Sequence, residues 1–320
     1  MLAKQAVSVY NLPRKHFKEP SMNPKIQEHT VYAYAKINLS LDILGVRPDG
    51  YHEVQMLMQS LTLHDTVTLK IRQTPGIFLT CGESSLPSDS RNLAYRAAAL
   101  FFHTYALPYG AELCLEKKIP VAAGLAGGSS DAAAVLRGLN EMFGGVASET
   151  ELSSLGANLG ADVPYCLLLG TALSEGIGER LTPLPPAPDC CCLLVKPAAG
   201  ASTKQIYTEY DALAKTTEIT HPDTQGLLSA LSAGDYRGLT SRLCNVLEPV
   251  TVHLVPEITT LKETLRSLGA DGVLMSGSGP TVFGLFSSET AAKNAEAYFL
   301  RSEYAPRTFL TRFYRREDNI

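Results

Sequence analysis

From Pro120 to Leu136 the sequence reads Pro-Val-Ala-Ala-Gly-Leu-Ala-Gly-Gly-Ser-Ser-Asp-Ala-Ala-Ala-Val-Leu, a run that few folds accommodate. Residues 124–130 hold three glycines and two serines and carry no charge. From Asp131 the pattern becomes helical, with Ala132, Val135, Leu136 and Leu139 on one face. A strand pattern over 111–117 precedes it, with Ala111, Leu113 and Leu115 alternating against Glu112 and Glu116. A glycine-rich loop that opens a helix is suited to anions. Its backbone N–H groups can approach a ligand closely, and the first helical turn adds unpaired donors and the positive end of the dipole. Ser129 or Ser130 can cap the helix, or give a hydroxyl to a phosphate or a metal ion. Locally, an ordinary loop with a serine cap fits as well.

Two common phosphate loops do not match. No lysine follows the glycines, so the G-x-x-x-x-G-K-[ST] pattern fails, and the spacing Gly124, Gly127, Gly128 misses G-x-G-x-x-G.

Upstream, Val31, Ala33, Ala35, Ile37, Leu39, Leu41 and Ile43 alternate with Tyr32, Tyr34, Lys36, Asn38, Ser40 and Asp42. Period two predicts a half-buried strand with Lys36 and Asn38 on its polar face, about 7 Å apart. Arg47-Pro-Asp-Gly predicts a turn leading to Tyr51-His52-Glu53, and a second strand is expected over 66–72. A helix is expected over about 91–106, capped near Asp89 or Ser90. Ser148-Glu-Thr-Glu151 has the capping-box pattern of another helix, ending near Gly160. Asp162, just before Val163-Pro164, suits the cap of a short helix, and its carboxylate could equally serve as a general base.

The aperiodic, Pro- and Gly-bearing stretch 176–188 is expected to be a linker and the domain boundary. Beyond it, strands are predicted at 190–195, 271–276, 281–287 and 307–314. Helices are predicted near 203–214, 225–233, 235–247, 256–268 and 289–301. Ser276 to Gly279 would join two of the strands as a tight turn.

Composition narrows the function classes. The chain has 320 residues, 45% hydrophobic and 19% charged, enough for two cores in a soluble protein. A net charge of −4 offers nothing to a nucleic-acid backbone, and no apolar run is long enough to span a membrane. Seven cysteines, three of them adjacent at 190–192, suit neither a zinc site nor a disulfide framework. The run Cys190 to Val195 reads as a buried strand, and a reducing cytoplasm is expected. Residues 1–27, basic and without periodicity, are expected to be a disordered extension, with Met22 a conceivable alternative start.

Five segments, taken in order, resemble the GHMP kinases. They are Ala35-Lys36-Ile37-Asn38-Leu39, Asp49-Gly50-Tyr51-His52-Glu53, the loop 120–130, Gly160-Ala161-Asp162-Val163-Pro164 and Gly277-Ser278-Gly279-Pro280-Thr281. The resemblance implies an α+β, two-domain GHMP kinase fold. It would comprise a ribosomal-protein-S5-domain-2-like, ATP-binding N-terminal domain over 28–185 and a ferredoxin-like α/β sandwich over 186–320 that closes on substrate. It implies ATP as phosphate donor, with Mg²⁺ accompanying it. Pro120, Val121, Ala122, Ala123, Gly124, Leu125, Ala126, Gly127, Gly128, Ser129 and Ser130 would form the phosphate loop, and Asn92 and Lys117 would lie on the adenine side.

By the same resemblance Lys36 and Asp162 match the catalytic pair, Asp162 as base and Lys36 stabilising developing charge. The Gly-Gly-Ser-Ser loop and the Tyr51-His52 pair fit the branch acting on a small molecule with a cytidine diphosphate moiety. His52 would meet the polar edge of the base, and Tyr51 and Tyr207 would stack on it. Asn38, Thr203, Gly277, Ser278 and Gly279 would also face substrate. Ala126 stands where many such loops have glycine, and its methyl is tolerable only if φ stays negative. No carboxylate stands out as a Mg²⁺ ligand. A monomer or weak homodimer, without nucleic-acid or membrane partners, is expected. The alternatives are a GHMP kinase for another alcohol of the homoserine or mevalonate type, and a non-catalytic ATP-binding protein on the same fold.

Overall fold

A computed structural model describes residues 23–200 and 202–316. The expected extension 1–27 lies outside the described residues up to Met22, as does the alternative start. Residues 23–27 are held: Asn23 accepts from the Tyr109 hydroxyl at 2.6 Å, and the Lys25 N–H donates to the Met142 carbonyl at 2.7 Å. The chain divides into two compact units, each assembled from several segments. The first comprises residues up to Tyr34, then 64–119 and 126–168, and the second comprises 35–63, 120–125 and everything from Leu169 on.

Two long strands, β1 (Glu28–Val46) and β2 (His52–Arg72), pass from one unit to the other. In the first unit, Thr66–Arg72 of β2 pairs antiparallel with β4 (Gly110–Glu116), which pairs parallel with β3 (Ile77–Cys81). Four helices complete this unit: α1 (Leu93–Thr104), α2 (Gly127–Met142), α3 (Glu149–Ala157) and α4 (Val163–Leu168). The core is built from Leu69, Leu113, Phe101, Val135, Leu136 and Leu139, all essentially fully buried. Helix α2 lies close to its strands at Gly138, where a Cβ would come within 2.4 Å of Leu69. The capping box at Ser148 and Glu151 is present in both directions.

In the second unit, Val54–Gln59 of β2 pairs with β5 (Thr171–Gly176), which forms a hairpin with β6 (Arg180–Pro183). A separate four-stranded sheet has the order β11 (Thr308–Arg312), β7 (Cys191–Val195), β10 (Val282–Phe286), β9 (Gly272–Met275), antiparallel throughout. Helices α9 (Glu257–Ser267) and α10 (Glu289–Phe299) bury Ile258, Leu261, Leu265, Ala292, Ala295 and Phe299 in its core. This β-α-β-β-α-β plan is the ferredoxin-like arrangement. Its first crossover is lengthened by α5 (Thr203–Leu213), α6 (Thr224–Ser232), α7 (Tyr236–Thr240), the short strand β8 (Cys244–Asn245) and α8 (Glu248–Leu254). The Cys190–Cys192 run is buried as expected, and desolvation pushes all three thiols up.

Several expectations change. Strand β1 is not half-buried: every residue from Ala33 to Ile43 is buried, so its polar face is covered too. Strand β2 begins at His52 rather than near 66. Asn92, not Asp89 or Ser90, caps α1 by accepting from the Ala94 N–H. The stretch 176–188 is only partly a linker, because 180–183 is a strand. The helix expected over 235–247 stops at Thr240, since Asn245 enters a strand beside Leu41.

Candidate active site

In the second unit the polar face of β1 meets two glycine-rich segments. The Lys36 ammonium donates to Asn38 Oδ1 at 2.8 Å, and both side chains are buried, at 4% and 0% exposure. Projection from one strand face puts residues two apart within reach of each other when one side chain is as long as lysine. The Asn38 amide also reaches the Met56 sulfur at 3.3 Å. Above the pair lies the turn joining β9 to β10. The Ser276 hydroxyl donates to the Gly124 carbonyl at 3.0 Å and lies 3.4 Å from the Asn38 N–H. At Gly277, φ is +60°, and a Cβ would stand 3.5 Å from Lys36 Nζ. At Gly124, φ is +75°, and a Cβ would fall 2.3 Å from the Ser276 carbonyl oxygen. Glycine at both positions therefore lets two backbones pass against each other. The turn is braced from below by Asn245, whose amide donates to the Met275 and Gly277 carbonyls at 2.9 and 2.8 Å. Its far side is tied by Thr203, whose hydroxyl is 2.8 Å from that of Ser278. The peptide between Gly279 and Pro280 is cis.

The first half of the loop, Pro120 to Leu125, belongs to this unit, and the Leu125 carbonyl accepts from the Lys36 N–H at 3.2 Å. Val121 and Ala122 are exposed, and Ala123 is buried. Tyr51 follows the Arg47–Gly50 turn, and His52 opens β2. The His52 ring lies 4.8 Å from that of Tyr207 at a 47° tilt, and its Nε2 is 2.7 Å from Asp211 Oδ1. The structure thus brings together Lys36, Asn38, Gly124, Gly277, Ser278 and Thr203 as one group, and His52 with Tyr207 as another.

In the first unit, α2 begins at Gly127. Ala126 occupies its cap in the left-handed region, φ +58°, with no side-chain cap. This corrects two expectations: neither serine caps the helix, and φ at Ala126 is positive. A left-handed alanine costs about 1–2 kcal/mol. The Ser130 hydroxyl instead donates to the Tyr34 carbonyl at 2.6 Å and is buried. The N–H groups of Gly127, Gly128 and Ser129 have no acceptor inside the helix, because the first intrahelical bond is Ser130 N–H to the Ala126 carbonyl at 2.8 Å. Gly128 is exposed and Ser129 partly so. These donors, at the positive end of a 16-residue helix, can hold phosphate oxygens.

The corner carrying Asp162 packs beside them: a Cβ at Gly160 would lie 3.9 Å from the Ser129 hydroxyl. The Asp162 carbonyl accepts from the Cys166 N–H at 3.0 Å and so starts α4. Asn92 uses both ends of its amide, accepting from Ala94 and donating to the Pro87 carbonyl at 2.9 Å.

Lys117 lies beneath the start of α2, where a Cβ on Gly127 would stand 3.6 Å from Nζ. Its ammonium is clamped between Asp65 and Asp131, the latter at 2.5 Å. Asp65 also accepts from the Lys118 and Ile119 N–H groups, fastening the end of β4. Burial lowers the Lys117 pKa, but the two carboxylates outweigh it and leave the ammonium above its usual value. Burial raises Asp131 to about 7 against the pull of Lys117. Asp65, Asp131, Asn245 and Asp211 were not among the residues expected here. Of these only Asp211 left a sequence signal, four residues beyond Tyr207 and hence on the same helix face.

The GHMP kinases N terminal domain profile matches residues 92–170, and the GHMP kinases C terminal profile matches 226–305. A 4-diphosphocytidyl-2-C-methyl-D-erythritol kinase from Lachnoclostridium phytofermentans is 51% identical over 282 residues, 88% of this chain and 96% of that protein. Among solved structures, a 4-(cytidine 5'-diphospho)-2C-methyl-D-erythritol kinase superposes with a TM-score of 0.76 at 34% identity, over 89% of this chain and 99% of that one. The homoserine kinase of Cytophaga hutchinsonii superposes with a TM-score of 0.69 at 21% identity, over 93% and 95% of the two chains, a likeness of fold alone.

Proposed function

The chain belongs to the GHMP kinase family and is a small-molecule kinase, and from its site we propose that it transfers the γ-phosphate of ATP to the C2 hydroxyl of 4-diphosphocytidyl-2-C-methyl-D-erythritol. ADP and the 2-phosphate are the products, a step of non-mevalonate isoprenoid synthesis placed in the cytoplasm. Among the described residues, no helix is long and apolar enough to cross a membrane. The observation that carries the reading is the grouping of Lys36, Asn38, Gly124 and Gly277, drawn from three of the five motif segments, around the hydroxyl of the neighbouring Ser276, which bonds to the Gly124 carbonyl and the Asn38 N–H.

Phosphoryl transfer needs little covalent help from the protein; it needs phosphates held, charge neutralised and a hydroxyl aimed in line. The N–H groups of Gly127 to Ser129 and the α2 dipole hold the phosphates. Lys36, oriented by Asn38, places a positive charge where negative charge grows. Asp162 accepts the proton of the attacking hydroxyl. Tyr51 and Tyr207 supply π-faces for the base, each able to contribute about 1–3 kcal/mol.

A divalent cation arriving with ATP would draw charge from the phosphate oxygens. The residues present do not build a cage for it. Asp131, the carboxylate within α2, has one buried oxygen without a partner, but its other oxygen faces the Lys117 ammonium. Among the described residues, no group of three or more His, Cys, Asp or Glu side chains is placed to hold a metal.

The test is ADP release with Mg-ATP and the cytidyl substrate, wild type beside Asp162→Asn, with homoserine and mevalonate as controls. Turnover is expected with the cytidyl substrate only, falling about 10²–10⁴-fold in the variant. Turnover with a control alcohol alone would overturn the substrate. A folded, ATP-binding protein that phosphorylates none of them would overturn the kinase reading.

A further inference from the structure

Strand β9 is the last strand on its side of the four-stranded sheet, so one row of its backbone groups faces away from β10. Ser276 faces inward, its N–H donating to the Thr281 carbonyl at 2.9 Å. A strand residue points its N–H and C=O to the same edge, and successive residues alternate, so Met275 and Gly277 face outward. On an open edge such groups go to water or recruit another strand. Here side chains of the segment 245–251 take them. The Asn245 amide donates to the Met275 and Gly277 carbonyls, and Glu248 Oε2 accepts from the Met275 N–H at 2.8 Å. The Thr251 hydroxyl lies 3.4 Å from the Ser278 carbonyl. Met275 is thus held at both its N–H and its carbonyl, immediately before the turn that buttresses Gly124 and Lys36.

Glu248 has a second partner. Its other oxygen, Oε1, is paired with the ammonium of Lys262 on α9, and both side chains are only 14% exposed. A carboxylate so far out of water needs a counter-charge, and without one it would turn toward solvent. Lys262 therefore holds Glu248 in its bridging position. Helix α9 is a firm base for this, since Ile258, Leu261 and Leu265 bury its other face in the sheet core.

We propose that Glu248 and Lys262 are positioning residues for phosphoryl transfer, which fix the end of β9 and so keep Ser276 and Gly277 against Gly124 and Lys36. The inference rests on the reading above in which Lys36 acts on the transferred phosphate, and it adds the remote ion pair that sets the surroundings of that lysine. Lys262 acts through Glu248, and Glu248 acts through the backbone of Met275.

The experiment measures kcat and KM for ATP and the cytidyl substrate in wild type, Lys262→Met, Lys262→Arg, Glu248→Gln and the double variant Glu248→Gln with Lys262→Met. Amide hydrogen exchange is followed on the same proteins. Lys262→Met should lower kcat about tenfold to a hundredfold, the effect of a small misplacement in a site that works by alignment. KM for ATP should stay unchanged, because Gly127 to Ser129 belong to the other unit. The Met275 amide should exchange faster while β7 and β10 keep their protection. Lys262→Arg should restore both kcat and protection. In the Glu248→Gln background Lys262→Met should add no further loss, since a residue that acts through another has nothing left to act on. Unchanged kcat or unchanged Met275 exchange in Lys262→Met, or fully additive losses in the double variant, would overturn the inference and leave the kinase reading standing. Protection lost across β7 and β10 as well would mark a general loss of stability and overturn it too. Should Lys262→Met fail to fold, Glu248→Gln decides alone: lowered kcat with local exchange at Met275 supports the inference, and full kcat overturns it. A wild type that does not phosphorylate the cytidyl substrate would overturn the substrate reading and the inference together.

Discussion

Two glycine-rich segments of this protein look alike in sequence and do opposite things with their backbones. At Gly127 to Ser129 the chain opens a helix, and three N–H groups are left without helical acceptors. At Ser276 to Gly279 the chain closes a hairpin, and its polar groups are engaged. Met275 and Gly277 carbonyls take the Asn245 amide, Ser278 meets Thr203, and the Gly279 N–H returns to the Ser276 carbonyl at 2.9 Å. One segment presents donors; the other is a buttress that fixes where Gly124 and Lys36 stand. Glycine serves the first by giving a ligand access to the backbone and the second by letting backbones touch.

The contrast is broken most severely at Gly124→Ala. The new methyl meets the Ser276 carbonyl at 2.3 Å and sits on a residue with φ of +75°, so both strain and clash apply. A loss of more than about 3 kcal/mol is expected, read as a large drop in denaturation midpoint together with lost turnover. Asn245→Ala removes the brace beneath the turn while leaving the helix donors untouched. It should cost about 1–3 kcal/mol and lower kcat more than it weakens ATP binding. Equal loss of both would show that the two segments are not separable. Ala126→Gly relieves a left-handed alanine next to the donor segment. A gain of about 1 kcal/mol is expected, with the denaturation midpoint rising slightly and ATP affinity unchanged.

Legibility in the sequence followed the range of the interaction. The β7 strand, the Ser148–Glu151 capping box and α5 rest on neighbours in the chain, and their patterns were readable. The first part of β2 was hidden because Met56, Leu57, Met58, Gln59 and Ser60 are all buried, which erases alternation. β5 and β6 were hidden by small and turn-forming residues such as Thr171, Ala172, Ser174 and Gly176. In the site, Lys36 and Asn38 could be placed on one face from their spacing alone. Asn245 could not be assigned a role, since its partners lie about 30 residues onward. Lys117 carried no hint that Asp65, 52 positions away, would hold it.

The division of the chain into interleaved segments has a consequence for how activity arises during folding. Between Tyr34 and Leu169 the chain changes unit five times, and one change falls between Leu125 and Ala126, inside the glycine-rich loop. Neither unit can be made from an uninterrupted piece of polypeptide, so no simple truncation yields one of them whole. Contacts such as Leu61 with Phe313 must wait for nearly the entire chain to be present. Closing such distant pairs carries an entropy cost that local helices do not meet. The loop is complete only when the segments on both sides of residue 125 have settled, so recovery of nucleotide binding after denaturation should lag behind recovery of helix signal.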